Sequence, residues 1–335
     1  MLKPLQNASP RLKFGHAVKA PANLLALLLA AACSAATANN PPLAASEASS
    51  APEEIEAPPE EIAEADFPLP PASCSGILKQ GGLILCAGAP GDVFRIGETV
   101  FTAGPDGYVH YGLSRLAPER IAILGRQLET EIEIAPRNDE RRTVTGVDCD
   151  KVDARTPEQR AHAARSWELK QAAFATFEEG PGATAGFAPP SATPRSSPFG
   201  PVRRYTGVSK TSGAACSSES VHLGLDFAAP VGSPILAPAP GIVTLADPDL
   251  YYEGGTIFLD HGHGLLSVFM HMSDVGVTAG QAVGLGEPIG RAGNTGRSSG
   301  PHLHWGVKWR NAASADRDGD FYIDPALLLD LPPTD

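Results

Sequence analysis

Five residues in the last third of the chain are of types that hold a metal ion and move protons. They fall in three short runs, His222-Leu-Gly-Leu-Asp226, Phe269-Met-His271 and Gly300-Pro-His302-Leu-His304. A hydrolytic zinc site keeps three nitrogen or carboxylate ligands and an open place for water, whereas a structural zinc is closed by four ligands, often thiolates. None of the 5 cysteines lies in a Cys-x-x-Cys pair or inside these runs. The set therefore points to the open, catalytic type and to an enzyme.

Strands must position these residues. In Pro301-His-Leu-His-Trp-Gly-Val307 the even positions share one face, so His302 and His304 stand about 7 Å apart along the strand. One imidazole can bind a metal while its neighbour reaches only the water. Leu303, Trp305 and Val307 occupy the core face. His271 lies in a second strand run, with Val268, Met270 and Met272 facing away from it. His222 and Asp226 would be about 13 Å apart in an ideal strand, too far to share an ion. The segment must bend between them, and Gly224 is the residue able to do so.

These runs, with Gly232-Ser-Pro-Ile-Leu-Ala-Pro-Ala-Pro-Gly-Ile-Val243 and Gly293-Asn-Thr-Gly-Arg-Ser-Ser-Gly-Pro-His-Leu-His304, closely resemble the lysostaphin-type (LytM-like) zinc metalloendopeptidases of bacterial peptidoglycan. The likeness runs from about His222 to Val307. It implies a C-terminal antiparallel β-sheet peptidase domain, one zinc ion per chain on His222, Asp226 and His304, and His271 and His302 as the catalytic pair beside it. His302 could accept the water's proton while His271 hydrogen-bonds the oxyanion or orients the water, and which of the two is the base is left open by the sequence. The implied substrate is a peptide bond of peptidoglycan stem peptides or cross-links. The alternative is a non-catalytic, cell-wall-binding regulator of amidases on the same fold. Phe269 departs from the tyrosine that the family commonly carries two places before its middle histidine.

Other candidates read as structural. His261 and His263, between glycines after a strand, suit a hairpin turn. His110 sits alone in a strand, and His162 belongs to a helix surface. The Asp316-Arg-Asp318-Gly-Asp320 run has its glycine too early for an EF-hand loop and reads as a solvated acidic loop. Glu219 and Glu287 read as solvated surface carboxylates. Gly293 to Gly300 lacks the lysine of a phosphate loop.

The remainder of the chain is mainly β. Its 35 Gly and 32 Pro among 335 residues indicate turns and linkers rather than helical bundles. Residues 74–150 read as a small β accessory domain, 151–180 as one connecting helix opened by the Thr156-Pro-Glu-Gln159 capping box, 181–198 as a linker, and 199–331 as the peptidase domain. On the helix, Ala163, Trp167, Phe174 and Phe177 fall roughly along one face, with Trp167 as core and Gly180 as the stop.

The net charge of −12 argues against nucleic acid as a partner. A basic start and the short apolar run 24–32 read as an export signal within residues 1–38. Cleavage before Cys33 would give a lipoprotein anchored in the outer membrane; cleavage after Ala38 would release a soluble periplasmic monomer. Residues 34–73, rich in Ala, Pro and Glu, would form a disordered tether. Four further cysteines fit an oxidising compartment. Cys74 and Cys86 face each other if the hairpin turns at Gln80-Gly-Gly82, which leaves Cys149 for Cys216, one of three possible pairings.

Overall fold

The computed structural model of the chain describes residues 69–149, 156–314 and 319–331. The export signal, Cys33, most of the acidic tether and residues 316–318 lie outside the described residues. Residues 65–335 group as one compact unit.

Eight strands come first: β1 (Ser73–Ile77), β2 (Leu83–Ala87), β3 (Val93–Ile96), β4 (Thr99–Thr102), β5 (Tyr108–Gly112), β6 (Arg120–Gly125), β7 (Leu128–Glu133) and β8 (Arg141–Asp148). Helix α1 (Pro157–Ala175) follows, then β9 (Arg195–Ser197), β10 (Val202–Val208), β11 (Ala215–Val221), β12 (Leu225–Phe227) and β13 (Pro234–Leu236). The chain continues through β14 (Gly241–Leu250), β15 (Gly254–Gly262), β16 (Leu265–Met272), β17 (Asp274–Val275), β18 (Ala282–Val283) and β19 (Pro288–Arg291). It closes with β20 (Leu303–Trp309), β21 (Phe321–Ile323) and the short helix α2 (Pro325–Leu328). The mainly β expectation holds.

The largest sheet runs β18-β14-β15-β16-β20-β12-β9, with β21 also on β20, and its neighbours are antiparallel. Alternation decides its faces. Ile257, Leu259, Phe269, Leu303, Trp305 and Val307 point into the main apolar core. On the opposite face Phe258, Leu266 and Val268 meet Ala173 and Phe174 of α1. Every residue of β15 is buried, because this strand is covered on both sides.

Helix α1 opens with the expected capping box: the Gln159 N–H donates to Thr156 Oγ1, and the Thr156 N–H donates to Gln159 Oε1. It stops at Ala175, five residues before Gly180. The helix meets β14 and the turn after it through His162, Ser166 and Lys170 as well as Ala173 and Phe174, so Trp167 turns aside and is 59% exposed rather than core, and Phe177 lies beyond the helix and is 42% exposed. Alanines and polar residues fill the rest of α1, which leaves no continuous apolar stripe. The fully buried Arg310 pairs with Asp260 (2.6 Å) and donates to the carbonyls of Phe174 and Thr176. A buried cation thus satisfies carbonyls that the helix end leaves over.

The first eight strands are less independent than their sequence implies. Strands β1-β2-β5 and β4-β3-β6-β7 form two small sheets around Ile84, Phe94, Ile96, Ile121 and Ile123. Cys74 stands opposite Cys86 and is bonded to it, as the hairpin predicts. Leu83 and Leu85, however, belong to the core of the large sheet. Trp309 of β20 packs on Tyr111 with ring centroids 5.3 Å apart, and a Cβ on Gly112 would come within 2.6 Å of the indole. Strand β8 leaves these sheets to pair in parallel with β10, so a sheet crosses the expected boundary at residue 150. The Cys149–Cys216 disulfide fastens the same junction.

Residues 181–198 also differ from the expectation of a free linker. Ala183 and Phe187 are buried in the main core, and β9 pairs with β12. Backbone bonds run from Gly182 to His261, from Ala188 to Pro238 and from Ala228 to Pro194. The Gly/Pro/Ser composition reports the irregular path of this strap, not its freedom.

Candidate metal centre

The expected bend between His222 and Asp226 is present. Strand β11 ends at Val221 and β12 begins at Leu225. The His222 N–H donates to the Pro201 carbonyl (3.0 Å), and the His222 carbonyl accepts from Gly200 (2.8 Å), which fixes the turn. Asp226 then lies directly across the ladder from His304, the closest relation that two strands offer to side chains on one face. Gly224 serves differently from expectation. Its φ is not in the left-handed region, but the His304 ring, through Nε2 and Cε1, occupies the place where a Cβ would stand. Close approach, not backbone freedom, demands the glycine.

The atoms of His222, Asp226 and His304 that can ligate a metal all lie within 4.8 Å of one another. Asp226 Oδ1 is 3.0 Å from His222 Nε2 and 2.9 Å from His304 Nδ1, and the two nitrogens are 3.2 Å apart. His222 Nδ1 donates to the Pro198 carbonyl (2.6 Å), so its Nε2 presents a lone pair to the cluster. A tetrahedral zinc with bonds of about 2.0–2.2 Å separates its ligands by roughly 3.3–3.6 Å. The donor set, two imidazole nitrogens and one carboxylate oxygen turned to one point, fits such an ion closely.

His302 and His271 stand beside this cluster. His302 Nδ1 contacts the Gly300 carbonyl (2.7 Å), leaving Nε2 3.9 Å from Asp226 Oδ1. His271 Nδ1 contacts the Thr295 carbonyl (2.9 Å), and its ring centroid lies 4.8 Å from that of His302. All five expected residues are therefore brought together.

The route taken by His271 was not legible in the strand pattern. Val268 and Met270 share a face as alternation expects, but His271 joins Met270 on it beside His304, and Met272 drops into the main core with Phe269. Between them His271 adopts φ 64°, a left-handed conformation that costs a non-glycine residue on the order of 1–3 kcal/mol. That twist breaks the alternation and delivers two successive side chains, 270 and 271, to one face. The Glu253 carbonyl accepts the His271 N–H (2.8 Å) and holds the conformation. Phe269 lies fully buried beneath the sheet.

Burial and charge set the protonation states. Burial pushes Asp226 up, but hydrogen bonds and charge from His222 and His304 outweigh it and hold the carboxyl well below its ordinary range. Burial, opposed by Asp226, lowers His304. Burial, then His302 and His304, brings His271 down to about 4. An ionised carboxylate and neutral imidazoles are the states that a metal requires of its ligands.

Residues missed in the sequence are partners rather than ligands: the carbonyls of Pro198, Thr295, Gly300 and Glu253. No side-chain type signals a carbonyl, so spacing could not reveal them. The structural candidates stay apart. His261 is buried between the Pro240 carbonyl and Ser267 Oγ, each 2.8 Å away. His162 Nε2 meets the Asp249 carbonyl (2.6 Å). Asp320 Oδ1 accepts the Asn311 N–H (2.9 Å). Glu219 is exposed on β11, and Glu287 Oε2 accepts the Gly284 N–H (2.9 Å) in a turn.

Residues 220–316 match the profile of peptidase family M23. The chain is 41% identical over 113 residues to a Haemophilus influenzae protein named as an uncharacterized metalloprotease, covering 33% of this chain and 22% of the relative. It is 39% identical over 84 residues to the peptidoglycan DD-endopeptidase ShyA of Vibrio cholerae, covering 25% and 19%. The chain thus spans about a fifth of the length of these relatives. The crystal structure of a peptidase M23 from Pseudomonas aeruginosa superposes with a TM-score of 0.51 at 25% identity, covering 75% of this chain and 95% of the other. The part of the chain that carries the five clustered residues is a peptidase M23 domain of the lysostaphin/LytM type.

Proposed function

We propose that this chain is a zinc endopeptidase that hydrolyses peptide bonds in peptidoglycan stem peptides or cross-links. The observation that carries this reading is the convergence of His222 Nε2, Asp226 Oδ1 and His304 Nδ1 on one point, with His271 and His302 alongside. Likeness to a relative named as a peptidoglycan DD-endopeptidase supports the substrate class.

His222, Asp226 and His304 hold the ion, which supplies Lewis acidity toward a peptide carbonyl and eases the deprotonation of water. The chain positions the protons. A carbonyl can only accept, so His302 carries its proton on Nδ1, toward Gly300, and keeps Nε2 as an acceptor. His302 Nε2 takes the proton of the attacking water and returns it to the leaving amine. His271 likewise spends its Nδ1–H on Thr295. Its Nε2 therefore orients the water by accepting a hydrogen, the second of the two roles expected for it; donation to an oxyanion would require protonation first.

Export to the cell envelope belongs to the same proposal and rests on the N-terminal sequence and the two disulfides. The test is incubation of the purified chain with cell-wall sacculi. Released muropeptides should carry cut peptide bonds, and EDTA should abolish the release. Intact sacculi in the presence of zinc-loaded protein would overturn the reading.

A further inference from the structure

Helix α1 lies outside residues 220–316, the part that matches the peptidase profile, yet it grips the segment on which His271 leans. Three of its side chains, four residues apart and so on one face, reach Asp249 to Glu253 at the end of β14. His162 Nε2 donates to the Asp249 carbonyl (2.6 Å). Ser166 Oγ, itself a donor to the His162 carbonyl (2.8 Å), accepts the Tyr251 N–H (3.0 Å). The Lys170 ammonium donates to Glu253 Oε1.

The same segment meets the metal centre through its carbonyls. The Glu253 carbonyl accepts the His271 N–H (2.8 Å), and the Tyr252 carbonyl accepts the Arg297 N–H (2.7 Å). The Arg297 guanidinium also lies over the Tyr252 ring, 4.9 Å from its centroid. Thr295, whose carbonyl takes the His271 Nδ1–H (2.9 Å), accepts the Gly255 N–H at Oγ1 (3.0 Å). The fit leaves no room: a Cβ on Gly254 would collide with Thr295. The bonds that fix the backbone and the ring of His271 thus both trace back to this segment and the loop packed on it.

Glu253 is the link. Its side chain is buried against α1, while its carbonyl holds the left-handed backbone of His271. Oε2 is buried without a hydrogen-bond partner, so the carboxylate is anchored through Oε1 to Lys170. A buried carboxylate that loses its partner is driven toward water, and a shift of Glu253 takes its carbonyl away from His271. A left-handed non-glycine backbone persists only where its surroundings over-determine it.

We propose that α1 is a brace for the metal centre: His162, Ser166 and Lys170 are positioning residues that act through Asp249 to Glu253 to hold His271 and the loop 295–297 in place. Their effect on rate rests on the peptidase reading, in which His271 orients the water.

The test is amide hydrogen exchange and kinetics on the full, zinc-loaded chain with Lys170→Met, Lys170→Arg and Ser166→Ala. In Lys170→Met, peptides carrying the His271 and Arg297 amides should exchange about tenfold faster or more, and kcat on sacculi should fall by a similar factor with KM nearly constant. Peptides of β12 and β20 should exchange as in the parent, and zinc content should be unchanged. Lys170→Arg, which keeps the cation, should recover most of both losses. If Lys170→Met does not fold, Ser166→Ala, which removes one hydroxyl from the same contact, should move the same peptides and kcat in the same direction by about threefold. Exchange unchanged at His271 and Arg297, or raised equally across β12 and β20, overturns the brace; the second result would make α1 a general support of the fold. Locally raised exchange in a chain that spares sacculi keeps the brace and loses the peptidase reading. Unchanged exchange in a chain that cuts sacculi does the reverse.

Discussion

Two groups of histidines lie in the folded unit, each with a carboxylate, and they are built differently. In the first, His222 and His304 turn ring nitrogens toward Asp226 and toward each other. In the second, His263 lies flat on His110, with ring centroids 4.0 Å apart and planes 24° from parallel. There the nitrogens diverge: His263 Nε2 meets Asp106 Oδ2 at 2.7 Å, and His110 Nε2 accepts the Ala183 N–H at 3.0 Å. Gly182 fits against both rings, where a Cβ would come within 2.7 Å of His110 Nε2. Burial, then His263, lowers His110 well below the usual histidine range, so His110 is neutral and the pair is structural. Imidazoles near a carboxylate do not make a metal site; lone pairs aimed at a common point do.

The sharpest break in this comparison is expected from His304→Ala or Asp226→Ala. Either should strip the metal, measured by elemental analysis, and lower sacculus hydrolysis on the order of 10³-fold or more, while His263→Ala leaves metal content unchanged. Metal loss in the His263 variant alone would reverse the assignment. Next, His302→Ala and His271→Ala should keep the metal and still lose about 10²–10⁴-fold in turnover, the usual worth of positioned proton transfer.

Outside both groups, His261 tests burial alone. Its folded pKa is about 4 against an ordinary 6.5, because burial outweighs its carbonyl partner. The unfolded chain binds the extra proton first as pH falls. The contribution of His261 to stability should therefore be complete above about pH 6.5 and be lost between there and about 4. That share is on the order of 3 kcal/mol, readable as the difference between denaturant titrations of the parent chain and of His261→Gln, which should fall less steeply over the interval.

Smaller still, Gly224→Ala should push the His304 ring aside and weaken metal retention about 10–100-fold in chelator competition, with the fold kept. The least effect is expected from Asp106→Asn. Its partner is half-buried and Asp106 itself is 39% exposed, so thermal denaturation should register no more than about 1 kcal/mol.

The ligand residues were legible because few side-chain types hold a metal and their spacing matched a known family. The faces of β20 were legible too, since Leu303, Trp305 and Val307 alternate with His302 and His304. What stayed hidden depended on departures from regular geometry. His271 reaches the centre only through its left-handed backbone, which ordinary alternation denies. The strap 181–198 looked like a linker because composition reports turns, while Ala183 and Phe187 are anchored by a core assembled from distant strands. Trp167 looked like core because apolar residues mark the expected face, whereas the line that meets the sheet runs through His162, Ser166 and Lys170. The accessory strands could not be placed until Trp309 and Tyr111, far apart in the chain, were seen in contact.

The Cys149–Cys216 bond has a bearing on proteolysis. It bridges from a residue before the strap to one after it, across 67 positions. A cut anywhere within 181–198 would leave both fragments on one covalent body, migrating as an intact band on a gel without reductant and separating only when thiol is added. Between them, the parallel ladder of β8 and β10 would keep the halves in register. A nicked chain of this kind would hold all five clustered histidine and aspartate residues on its C-terminal fragment, in place and ready to be assayed.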